Sequence, residues 1–195
     1  MSHPFVASRQ SSFVSLFEEG AMESKHIVGL PVVTLGGVRV GTVDQIFVNA
    51  TTKRIVDFVL DADEDRPGVA ARIVNGDDVH ALGEDALTVS NSITARDAAT
   101  DARLSGLVRL DDMATRQVMT ESGTLLGHLV SVEIDPSTLQ LTRVEISPGV
   151  LRGKLWIAAD RVIRLGADAI MVADASAEPA NEAIPLGPVG ANAIT

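Results

Sequence analysis

The sequence predicts an all-β fold, two tandem small barrels joined by a short linker, and three observations carry that prediction. The chain superposes on itself: a shift of 86 residues places Val32 on Val118, Thr34 on Thr120, Gly37 on Gly123 and Gly41 on Gly127. Past a loop of unequal length the shift becomes 83, and Asp77/Asp160, Gly83/Gly166, Asp85/Asp168 and Val89/Val172 coincide. Within each copy, apolar and polar residues alternate with period two in runs rich in Val, Ile and Thr, which suit a pleated, half-buried surface. Turn residues recur about every ten positions, the rhythm of a small antiparallel barrel, and helical periodicity is nearly absent. A chain of 195 residues accommodates one medium domain or two small ones.

The elements follow in order. Residues 1–26 read as an N-terminal extension, in which Phe13, Leu16 and Phe17 at i, i+3 and i+4, between Ser residues and Gly20, predict one short helix. Its first ten residues lack the basic start and unbroken apolar stretch of an export signal. Residues 27–90 form the first repeat, residues 91–106 a polar, Ala-rich linker with room for one helical turn, and residues 107–175 the second repeat. In that second repeat Leu126, Val130, Val132 and Ile134 alternate with His128, Ser131 and Glu133. After the Asp135-Pro136 turn, where the first repeat has Asn49, Val144 and Ile146 alternate with Arg143 and Glu145. Residues 176–195, rich in Ala, Pro, Gly and Asn, read as a flexible tail. A unit of about 65 residues buries a small core by itself, so packing the copies together or closing each sheet removes exposed edges.

Composition narrows the function. Sixteen basic residues against 26 acidic ones give a formal charge of −10, which repels phosphate backbones and anionic lipid surfaces. Generic nucleic acid is therefore not an expected partner. Aromatic residues make up 3%, all five Phe precede residue 59, and base-stacking along a basic groove has little to build on. The absence of Cys excludes disulfides, thiol catalysis and Cys-ligated zinc. Every apolar window is broken well short of the roughly 18 residues of a membrane span, so a cytoplasmic location is expected.

Quoted from Gly29, GLPVVTLGGVRVGTVDQIFVNATTKRIVDFVL, and from Thr115, TRQVMTESGTLLGHLVSVEIDPSTLQLTRVEI, share a short strand, a Gly turn, an apolar-Gly step and a hairpin. VNGDDVHALGEDALTV and IAADRVIRLGADAIMV share an acidic-apolar pair before a Gly-Glu-Asp or Gly-Ala-Asp turn. This order of features resembles the PRC-barrel family, the barrel of the photosynthetic reaction-centre H subunit and of a ribosome-maturation factor. The resemblance covers both repeats and implies two PRC-type barrels. The reaction-centre subunit adds a membrane helix with no counterpart here, and the maturation factor carries one such unit where this chain has two. Known members scaffold partners and share no catalytic motif.

Each candidate for chemistry has a structural reading beside it. Gly41 and Gly127 follow apolar residues inside strand patterns, where a missing Cβ permits a bulge or close backbone approach, and no helix follows to make a phosphate loop. Asp61, Asp63 and Asp65 begin like a calcium loop, but Arg66 and Arg72 stand where Gly and Glu belong, which favours a solvated hairpin tip over weak calcium binding. His3, His26, His80 and His128 have no metal-ligand spacing, and Ser122 lacks a nucleophile-elbow context. Trp156 aligns with Ile73 and is expected in the core, with an exposed partner anchor as the alternative. No catalytic, cofactor-binding or metal-ligating residue is assigned, and no cofactor is implied. The expected function is a noncatalytic interaction or assembly module that binds a protein partner or itself. The alternative is a ribosome-associated assembly or rRNA-maturation factor acting through a ribosomal protein.

Overall fold

The computed structural model describes residues 20–61, 71–91, 96–98, 100–149 and 153–174. The helix expected around Phe13, Leu16 and Phe17, most of the acidic hairpin tip and the tail 176–195 lie outside the described residues.

The first half opens with β1 (Met22–Glu23) and one helical turn, α1 (Ser24–Ile27). Six strands follow: β2 (Pro31–Thr34), β3 (Arg39–Val48), β4 (Ile55–Asp61), β5 (Arg72–Asn75), β6 (Val79–Leu82) and β7 (Leu87–Val89). The linker holds β8 (Arg96–Asp97) and a 3-10 turn at Ala102–Gly106. The second half repeats the pattern as β9 (Val108–Arg109), β10 (Gln117–Thr120), β11 (Leu125–Asp135), β12 (Gln140–Ser147), β13 (Leu155–Ala158), β14 (Val162–Leu165) and β15 (Ala169–Val172).

Two sheets result, in the orders β6-β7-β2-β3-β4-β5-β8 and β13-β12-β11-β10-β15-β14. Their centres are the long hairpins β3–β4 and β11–β12, which alternate in-facing Val, Ile, Leu and Phe and turn on side-chain caps. Asn49 Oδ1 accepts from the Thr51 and Thr52 amides at 2.9 Å, and Asp135 Oδ1 accepts from the Ser137 amide at 2.8 Å. The expected antiparallel barrel is corrected in one respect: β2 pairs with β7, and β10 with β15, in parallel. After β5, or β13, the chain crosses over through a 3-10 turn and a short hairpin. Its last strand thus returns beside the first in the same direction.

The halves are interlocked. β1, from the segment read as an extension, pairs with β11 of the second sheet, with Met22 opposite Ile134 and Glu23 opposite Glu133. β9 pairs with β3 of the first sheet, with Val108 opposite Val48 and Arg109 opposite Phe47. The shift of 86 carries each of these pairs onto the other, so the exchange is reciprocal. The same holds where the hairpins meet: the Ile55 amide donates to Leu139 O and the Leu141 amide to Lys53 O, both at 2.9 Å. Between these bonds lies the bridge Arg54–Gln140, which the shift maps onto itself. This is the pattern of an isologous two-fold interface, here within one chain. Lys53 and Leu139 both take positive φ, 55° and 58°, and both carbonyls accept from the opposite repeat. The buried apolar residues of both sheets accordingly form one cluster, in which Val48, Ile55 and Phe58 join Ile134, Leu139 and Val144.

Gly41 and Gly127 occupy equivalent bulges, opposite Val32 and Val118, with φ of 154° and 152°. A Cβ on Gly127 would lie 2.3 Å from Ser147 O, whereas on Gly41 the nearest atom, Asp61 O, would be 3.1 Å away. Gly127→Ala should therefore cost about 3 kcal/mol and Gly41→Ala about 1–2 kcal/mol in urea unfolding. Equal costs, or the reverse order, would contradict the close approach at Gly127.

Candidate protein-interaction surface

The residues singled out by the sequence do not converge. His26, His80 and His128 are exposed on α1, β6 and β11, and His3 lies outside the described residues. Ser122 sits in a turn, its amide donating to Asp174 Oδ1 at 2.9 Å and its hydroxyl 2.9 Å from that of Thr120. Asp61 ends β4, and residues 62–70 lie outside the described residues. Among the described residues no three His, Asp or Glu side chains cluster as a metal site would require.

What the fold does assemble is a pair of equivalent outer sheet faces with opposite chemistry. In the first repeat Phe47, Val59 and Ile73 form a small apolar cluster outside the main core, roofed by Ala98, Leu104 and Leu107. The linker also extends the sheet, with β8 pairing antiparallel to β5, Arg72 opposite Asp97 and Ile73 opposite Arg96. An ionic clamp fixes it there. Arg96 Nη2 donates to Asp57 Oδ1 at 2.6 Å, its Nη1 donates to Asp101, and Asn75 Nδ2 reaches Asp57 at 3.2 Å. Asp57 is buried, and burial pushes its carboxyl above the usual range despite the opposing pull of Arg96. Asp101 in turn accepts from the Arg103 amide at the start of the 3-10 turn, at 3.0 Å. The segment expected as a linker is thus also the cover of a sheet face.

The equivalents of Phe47, Val59, Ile73 and Asp57 in the second repeat are Glu133, Glu145, Trp156 and Arg143. Arg143 grips Glu133 with two hydrogen bonds, Nε to Oε2 at 2.5 Å and Nη2 to Oε1 at 2.8 Å, and its guanidinium carbon lies 4.4 Å from the centre of the Trp156 ring. Glu145, buried and directly across from Trp156, pairs with Lys154 at 2.6 Å, and that hydrogen bond raises the Lys154 ammonium above its ordinary value. Towards β1, Glu23 stands opposite Glu133, and the two carboxylates coexist because each has its own partners. Glu23 takes Lys25 at 2.8 Å and the Ser131 hydroxyl at 2.9 Å, and the Lys25 hydrogen bond lowers its carboxyl.

The expectation that Trp156 is core is corrected. Its aligned residue Ile73 is 0% exposed, whereas Trp156 is 37% exposed. The physical reason is the roof: residues 96–107 cover Ile73, while among the described residues no such segment lies over Trp156, which only the Arg143 guanidinium overlies, and β13 pairs with β12 alone. Beside the ring a depression of about 510 Å³ is bordered by Leu141, Thr142, Ala158 and Asp160. The Thr142 hydroxyl there is shut off from solvent and has no hydrogen-bond partner among the described residues. Sequence reading placed Glu133, Arg143 and Glu145 on the polar face and missed their network. The readable signal was the reversal of Asp57 to Arg143 between otherwise matching strands.

The sequence of the chain matches the PRC-barrel domain over residues 19–86 and again over residues 106–178. It belongs to the PRC-barrel family. Comparison with curated proteins gives no match. Each PRC-barrel region includes its exchanged strand, β1 in the first and β9 in the second. The PRC-barrel regions therefore share their ladders as well as their core.

The clamp on the first face gives a prediction. Arg96→Ala leaves Asp57 buried without its cation and should lower unfolding free energy by about 2–3 kcal/mol, and adding Asp57→Asn should restore at least half of that loss. Because burial raises the folded-state value of Asp57, its protonated form favours folding, and that contribution fades as pH rises through the raised value. The Arg96→Ala deficit should then shrink as pH falls from about 7 to about 5. A double variant as unstable as Arg96→Ala, or a deficit that grows towards acid, would contradict this account.

Proposed function

We propose that this tandem PRC-barrel protein is a noncatalytic protein-interaction or assembly module whose contact surface is the outer face of its second repeat. The observation that carries the reading is the contrast at one position of the repeat: Ile73 lies sealed under the linker, and Trp156 stands 37% exposed on β13, which among the described residues no further strand extends. PRC-barrel domains are generally noncatalytic modules, which supports the same reading. A rigid aromatic ring stacked under an arginine, with paired charges around it, is the composition of an interaction anchor. Interlocking also suits a scaffold, since both repeats hold the face in place.

The test is affinity capture from native lysate by the full chain and by Trp156→Ala, with light scattering on the purified protein. A specific protein, or a second copy, should be retained by the wild type and lost by about tenfold in the variant. Identical captures from both, together with a monomer at all micromolar concentrations, would overturn the reading. Cosedimentation with ribosomes that does not depend on Trp156 would replace it with the ribosome-associated role.

A further inference from the structure

The pseudo-two-fold symmetry reaches past the repeats into the segments that precede them. At the shift of 86, β9 falls on β1, Met113 on Ile27 and Thr115 on Gly29; Met113 and Ile27 are both fully buried, and Thr115 and Gly29 both take positive φ, 69° and 92°. The Thr115 amide donates to Leu129 O and the Gly29 amide to Val43 O, again equivalent positions. Continued backwards, the same shift carries residues 96–107, the roof of the first outer face, onto residues 10–21. Because β1 and β9 are exchanged, the segment ahead of β9 covers the first sheet, and its counterpart ahead of β1 is delivered to the second. We propose that residues 10–19 fold over the outer face of the second repeat, with Phe13, Leu16 and Phe17 against Trp156, as an intramolecular cover that a binding partner must displace. The displacement, though not the cover itself, rests on the interaction reading above.

Chain path and chemistry agree with this placement. Gly20, where the described chain starts, borders the same depression as Glu133, and Glu133 also borders the depression beside Trp156. In the first repeat the chain from Gly106 back to Arg96 is long enough to pass from β9 over β3 and β4 to β5. The equal length from Gly20 back to Gln10 is therefore enough to pass from β1 over β11 and β12 to β13. The two segments differ as the faces beneath them differ. Asp57 lies under the first roof, and that roof brings Arg96 to it; Arg143 stands in place of Asp57, and the position equivalent to Arg96 is the uncharged Gln10. Leu104 and Leu107 seal the compact trio Phe47, Val59 and Ile73, whereas the larger Phe13, Leu16 and Phe17 meet a face built around the Trp156 ring and a depression of about 510 Å³. At i, i+3 and i+4 these three share one side of a helical turn. Leu104 falls on Glu18, next to Phe17, so the apolar residues of the two segments are offset by one position.

Trp156 is the single tryptophan of the chain, so its fluorescence reports on this face directly. In the full-length protein, Phe13→Ser combined with Phe17→Ser should red-shift the Trp156 emission and raise its quenching by acrylamide at least about twofold, while the amides of β3 and β4 stay protected from exchange. Emission and quenching that are the same in variant and wild type overturn the proposal. So does wild-type shielding that disappears on dilution, which assigns the cover to a second copy. Shielding that is removed by Ile184→Ser with Leu186→Ser, and not by the Phe variant, also overturns it, by assigning the cover to the C-terminal segment. A cover that occupies the face about nine-tenths of the time lowers a partner's apparent affinity about tenfold, so the Phe variant should retain a Trp156-dependent partner about tenfold more tightly than the wild type. Equal or weaker retention by the Phe variant overturns the displacement. If lysate capture depends on Trp156 while the shielding does not depend on Phe13 and Phe17, the interaction reading stands and the cover falls; shielding lost in the Phe variant without any Trp156-dependent capture shows the converse.

Discussion

Everything in this molecule depends on the backbone junction at Arg54 and Gln140. Two hydrogen bonds, Ile55 to Leu139 and Leu141 to Lys53, join the hairpin ends of the repeats about a pseudo-two-fold axis. The strands that precede each repeat then lie across the other. A separate repeat of about 65 residues would bury a modest fraction of its surface and leave several short edges open. Merging the two places Ile55, Leu139 and Leu141 in a common interior and covers part of both long hairpins. The left-handed conformations of Lys53 and Leu139, costly for residues with side chains, persist because the junction holds both ends of the turn.

Symmetry of the core coexists with divergence of the surface. Core positions tolerate little change, since a methylene more or less is felt by closely packed neighbours. The outer faces carry no such constraint. At equivalent positions one repeat uses an apolar patch sealed by its own linker, while the other uses a Glu133–Arg143–Trp156 stack and a Glu145–Lys154 pair. Partly buried charges are retained only when paired, and each of these has its partner in the same sheet. Among the described residues one of the two equivalent faces is closed by the chain's own segment 96–107, and the other has no such cover.

Much of this was legible from residues alone. The duplication exposed both hairpins, the bulge glycines Gly41 and Gly127, and the turns at Asn49 and Asp135, because these features rest on local chemistry that repeats. The exchange of β1 and β9 left no trace, since a two-residue strand has no periodicity and its pairing is decided by distant chain. β8 was hidden for a similar reason: Arg96 and Asp97 sit in a polar, Ala-rich stretch whose strand pairing comes from the edge of β5. The match of Trp156 to Ile73 predicts a core residue, with an exposed anchor as the alternative, and that match is a sound guide only when both copies have the same roof. The parallel pairing of the last strand with the first is a property of the crossover, and no residue type announces it.

The central claim is that the two repeats are one cooperative body, and native-state hydrogen exchange along a urea series measures it most directly. Amides in β3 and β4 and amides in β11 and β12 should open with the same free energy and the same urea dependence, coincident with the loss of Trp156 fluorescence. Two distinct opening free energies, one for each hairpin, with fluorescence following only the second, would show that the repeats fold independently and that the junction does not hold them together.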